Sequence, residues 1–146
     1  MGNYISRSDA ELRLRRNYRT LYTPADSGEI DTDIVDADID AAEGTVDSYL
    51  AGRYTVPVTD AEALRPIKSW ALTFLEEIAY GAIPGREVPK NIADRAKAAR
   101  EHLAKVASGH LSLGSDTPAP ERETLTADLV IEADTPVMGR TNLTGF

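Results

Sequence analysis

The densest run of chemistry-bearing side chains is Asp36-Ala37-Asp38-Ile39-Asp40, with carboxylates at alternate positions. An EF-hand calcium loop wants carboxylates at positions 1, 3 and 5, glycine at 6 and glutamate at 12. Counted from Asp36, position 6 is Ala41 and position 12 is Asp47, so the tight turn has no glycine. Ile39 also falls on a helical apolar stripe, which makes the run an acidic helix face. The histidines, His102 and His110, have neither an HExxH pattern nor a cysteine partner, and read as exposed residues. The chain has no GxSxG elbow and no Walker or dinucleotide fingerprint. The reading is of a non-enzyme, with no catalytic, metal or cofactor-binding residue to name and no cofactor expected.

The basic residues are more suggestive. Arg13, Arg16 and Arg19 follow one another at i+3, with Tyr18 and Tyr22 close by. Such a cluster suits DNA phosphates or an acidic protein surface. A net charge of −8 argues against a general nucleic-acid binder and favours protein docking, or a solvated helix end. The charge is uneven. Arg7, Arg13, Arg15, Arg16 and Arg19 face only Asp9 and Glu11 in the first 19 residues, whereas residues 29–62 carry ten acids against Arg53 alone. Copies of such a chain can attract each other head to tail; two separate solvated helix faces are the plainer alternative.

The elements that must position these residues are helices. A length of 146 residues allows one core, and with one Trp and two Phe that core must be mostly Leu, Ile, Val and Ala. With no cysteine, disulfides and thiolate metal sites are excluded. The start is polar within three residues of Ile5, so neither a signal peptide nor a membrane span is expected. Ser8 with Glu11 makes a capping-box pattern, predicting a first helix to about Asn17. TPADSGE at 23–29 breaks the chain. A second helix over 31–50 carries the stripe Val35, Ile39, Ala42, Val46, Tyr49, continued by the Arg53 stem. Gly44 inside it suggests a close crossing with a neighbour. Thr59 with Glu62 is a second capping-box pattern. Pro66 suits the first helical position, so a third helix is expected from near Arg65 to 80–81. Its face of Ile67, Trp70, Ala71, Phe74, Leu75 and Ile78 makes it central. Pro89 begins a fourth helix to about Ala107, with the stripe Ile92, Ala96, Ala99, Leu103, Val106, closed by Gly109. The expectation is a mainly α fold: a small four-helix bundle over 1–114, and an extended C-terminal arm over 115–146 with a short strand at 126–132.

Fully extended, the arm's 32 residues span at most about 100 Å. Its anchors, including Leu125, Leu129, Val130, Ile131, Val137, Met138, Leu143 and Phe146, are too many for a free tail.

Four blocks carry a resemblance. Tyr4-Ile5-Ser6 leads a short acid-containing helix, and DSYLAGRYTVP closes the second helix at 47–57. SGHLSLG follows the fourth helix at 108–114, and GRTNLTGF ends the chain at 139–146. In this order they resemble the Mu-like phage morphogenesis proteins, a branch of the head-tail connector (adaptor) proteins of tailed bacteriophages. The block at 47–57 is the most specific. The resemblance implies a helical virion protein of the neck, made in the host bacterial cytoplasm. It also implies a ring of twelve copies under the portal protein, offering a platform to the stopper or tail-terminator protein. Genomic DNA would pass through the lumen without sequence-specific binding. The interface residues expected are Arg13, Arg16, Arg19, Leu129, Ile131, Val137, Met138, Arg140, Leu143 and Phe146. Asp33, Asp36 and Asp40 are expected to face the channel, where acidic groups keep DNA from sticking. Alternatives are a tail-completion or stopper protein, and a small DNA-binding regulatory protein using the arginine cluster.

Overall fold

Ser6, not Ser8, opens the first helix: its hydroxyl accepts from the Asp9 amide while the Asp9 carboxylate accepts from the Ser6 amide. The capping box is real but two residues earlier, with aspartate in place of glutamate at the third helical position. The computed structural model describes residues 2–114, and in these it contains α1 (Arg7–Leu14), α2 (Arg16–Tyr22), α3 (Thr32–Leu50), α4 (Ala61–Gly81) and α5 (Lys90–Ala107). The predominantly helical class is as the sequence predicts, and no strand occurs among the described residues. The strand expected at 126–132, and the whole arm, lie outside them.

The four expected helices become five because the first is broken. Arg15 has φ 51° and ψ −120°, a conformation that glycine adopts more readily than any L side chain. Its amide still bonds the Glu11 carbonyl, and its own carbonyl accepts from the Tyr18 amide. These two bonds carry the chain through the turn, and α2 brings Tyr18 and Tyr22 into the core.

The long helices follow their stripes. Asp31 caps α3 by accepting from the Asp33 and Ile34 amides. Val35, Ile39, Ala42 and Val46 are fully buried, with Leu50 at the foot of the stripe and Tyr49 half-buried. α4 begins at Ala61, four residues before the position that Pro66 suggests, and Asp60 rather than Thr59 caps it. Pro66 consequently sits in the second turn, where it withholds the N–H that would bond the Glu62 carbonyl. On α5 the whole predicted stripe is buried, and Gly109 takes the expected left-handed conformation at φ 85°. α3, α4 and α5 pack mutually, α1 packs on α3 and α4, and α2 packs on α1 and α3. The core spans all five helices, with Phe74 and Leu75 of α4 among its most enclosed side chains. Gly44 has open space where a Cβ would stand, so no crossing within the chain requires it.

Candidate docking groove and arm junction

The N-terminal strap is fixed by one carboxylate. Glu43 is buried on α3 among apolar residues. It accepts from three successive backbone amides, Asn3 at 2.6 Å, Tyr4 at 2.7 Å and Ile5 at 2.8 Å. Charge-assisted bonds of this kind are roughly twice as strong as neutral ones. The approach is close enough that a Cβ on Gly2 would collide with the Glu43 carboxylate and with the Ile5 carbonyl oxygen. The strap then delivers Tyr4, whose hydroxyl donates to Asp47 at 2.5 Å and accepts from the Val58 amide at 3.0 Å. Burial and the bond to Asp47 push the Tyr4 hydroxyl well above its ordinary range. Burial likewise pushes the Asp47 carboxyl up, against the pull of the Tyr4 hydrogen bond.

The same corner receives the end of α5. Arg53 donates to the Val106 carbonyl at 3.1 Å, and its guanidinium stands 5.8 Å from the centre of the Tyr54 ring. The Tyr54 hydroxyl accepts from the Leu113 amide. Three of the blocks that carry the family resemblance, 4–6, 47–57 and 108–114, are thus parts of one junction. Their residues hold one another, and they fix Gly114, the last described residue, beside Glu62 at the start of α4.

A second feature lies at the other end of α4. An open groove of about 450 Å³ is lined by Asp9, Leu12, Arg13, Arg15, Leu72, Glu76 and Arg95. Glu76, nearly buried, accepts from Arg13 at 3.2 Å and Arg95 at 3.1 Å. Asp9 pairs with Lys68 at 2.7 Å. Burial raises the Asp9 carboxyl, but hydrogen bonds from Lys68 and Ser6, with the Lys68 charge, outweigh it and hold the group below its usual range. Both carboxylates in the groove are therefore matched by cations, while Arg15 forms no ion pair among the described residues. Leu12 is 71% exposed at the rim. The groove combines surplus positive charge with apolar surface, on a chain of net charge −8.

The break at Arg15 separates the three arginines singled out by spacing. Arg13 is half-buried on α1 and engaged with Glu76, while Arg16 and Arg19 are exposed on α2. They form no continuous helical stripe, since the i+3 argument assumes one unbroken helix. Asp33 and Asp40 are exposed on α3. Asp36 is paired with Arg7, whose Nε donates at 2.7 Å, and that bond holds the Asp36 carboxyl below its usual range. Asp38 accepts from the Tyr22 hydroxyl at 2.9 Å and is raised by burial. Leu129, Ile131, Val137, Met138, Arg140, Leu143 and Phe146 lie outside the described residues. The sequence reading missed Glu43, Glu76 and Arg95, because carboxylates and guanidinium groups on a helix read as solvated until the tertiary structure shows what they touch. No helix among the described residues is long and apolar enough to cross a membrane.

Among the described residues the chain is a small helical bundle in which buried or half-buried polar groups such as Glu43, Tyr4, Arg53 and Glu76 tie its segments together. The family described as Bacteriophage Mu, Gp36 matches residues 4–131, and the chain belongs to that family. This makes it a bacteriophage protein of the structural or morphogenesis class. Among curated proteins none matches the chain.

Proposed function

We propose that this protein is a non-catalytic head-to-tail adaptor subunit of the virion neck. It forms a ring beneath the portal protein, in twelve copies, extends the DNA channel and presents a platform to the stopper or tail-terminator protein. The observation that carries this reading is the family match, which takes in the bundle and continues past Gly114 to residue 131. The first part of the arm therefore belongs to the family unit.

The junction supports the reading. An assembly subunit has to launch its arm from a fixed point, and Tyr54, Arg53 and Leu113 supply one. The last part of the arm, with Val137, Met138, Arg140, Leu143 and Phe146, is the surface for portal and neighbouring subunits. The exposed Asp33 and Asp40 suit a channel wall that repels DNA. The DNA-binding alternative is weakened by the commitment of Arg13 to Glu76.

Deleting residues 137–146 is expected to leave the bundle folded, with unchanged helix content by circular dichroism, and to yield filled heads that do not join tails. Micrographs showing normal virions from the deletion would reject this role for the arm.

A further inference from the structure

We propose that residues 123–132 of this same chain dock in the groove lined by Leu12, Arg13, Arg15, Leu72 and Arg95. The groove calls for an occupant that is both acidic and apolar. Arg15 projects from a backbone conformation that side-chain-bearing residues rarely adopt. Leu12 beside it is left exposed. Residues 123–132 offer the complement: Glu123, Asp128 and Glu132 interleaved with Leu125, Leu129, Val130 and Ile131, and no basic residue.

Reach selects the same chain over a neighbour. Gly114 lies beside Glu62. From Glu62 to Leu72 and Glu76 is 10 to 14 residues of α4, roughly 15–20 Å at 1.5 Å per residue. Glu62, Arg65, Ser69, Leu72 and Glu76 follow one another at +3, +4, +3, +4, so one face of the helix leads from the chain's exit to the groove. Glu62, Arg65 and Ser69 on this face are exposed. Residues 115–122 span up to about 26 Å, and Pro118 and Pro120 favour extended backbone there. A tether this short holds its segment at an effective concentration on the order of millimolar, well above that of a second copy in dilute solution.

The test is hydrogen exchange read by mass spectrometry on the full-length protein. The expected result is protection of residues 123–132 by at least about tenfold over an unstructured peptide. That protection should be independent of protein concentration, weakened between about 50 mM and 1 M salt, and abolished by Leu12→Ser with Arg15→Glu. Glu123→Arg with Glu132→Arg, outside the bundle, should abolish it equally, and adding Arg15→Glu to that pair should restore part of it. Exchange across α3 to α5 in the same samples shows that each variant is folded. Three results would overturn the proposal: no protection in the parent, protection that survives either double substitution, or protection that grows with concentration, which would assign the groove to a second copy. The result does not depend on the adaptor role, which the virion assay tests separately.

Discussion

At the residue scale, Glu43 carries more of the architecture than any other polar group. A carboxylate withdrawn from water is costly unless its oxygens are satisfied, and here three consecutive amides satisfy them. Glu43→Gln keeps the shape and loses one acceptor, because the amide nitrogen must face a backbone N–H. We expect a loss of about 1–3 kcal/mol, read as a lower urea midpoint; an unchanged midpoint would show that the strap contributes nothing to stability. Asp38 makes the opposite case. Burial raises its carboxyl above the ordinary value despite the Tyr22 bond, so the folded state holds that proton more tightly than the unfolded chain. Its contribution to stability is fully present below the unfolded value and is lost as pH rises through the folded one. Asp38→Asn still accepts from Tyr22 and removes that loss. The variant's stability relative to the parent is expected to improve between about pH 4 and pH 7; a difference constant across those pH values, from parallel urea titrations, would contradict it.

At the element scale, the helices are specified locally and ended locally. α3 has an aspartate cap, an acidic first turn and a clean stripe, all readable in order along the chain. Its anomaly is Gly44, exposed in mid-helix with nothing near the position of a Cβ. Gly44→Ala is expected to stabilise the isolated chain by roughly 1 kcal/mol through helix propensity, seen as a higher melting temperature. A lower melting temperature would show that α3 is not helical at this point in solution. The two misplaced starts, at Ser8 and near Arg65, have different causes. Near Ser8 more than one residue is a competent cap, whereas at α4 Pro66 suits the first helical position but lies in the second turn. Lys68 fixes Asp9 at α1, and Asp60 captures the Glu62 amide at α4.

At the scale of the whole molecule, the bundle gathers at one corner the blocks most characteristic of the sequence. Tyr4, Asp47, Arg53, Tyr54, Val58, Val106 and Leu113 come from the strap, the end of α3, the connection to α4 and the end of α5. The specificity of those blocks is therefore accounted for by contacts within the chain. On the adaptor reading proposed above, this corner holds Gly114 at the same place in every copy of the ring.

That α3, α4 and α5 are helices, which of their faces turn inward and where α5 stops were determined by the sequence alone, because 3.6-residue periodicity, Pro89 and Gly109 act over a few residues. The family was legible too, from ordered short blocks, of which those at 4–6, 47–57 and 108–114 fall within the match over residues 4–131. Tertiary structure decided what those blocks do, since a tyrosine and an aspartate 43 positions apart have no local signature of their pairing. It decided that Arg13 is spent on Glu76 while Arg15, on a backbone turned against its own preference, is not. It also decided that the acid-rich run at 36–40 divides by its surroundings. Asp36 meets Arg7, Asp38 meets Tyr22, and Asp40 remains in water. Alternation along a chain says only that these carboxylates differ in direction; what each one faces is set by the elements folded against it.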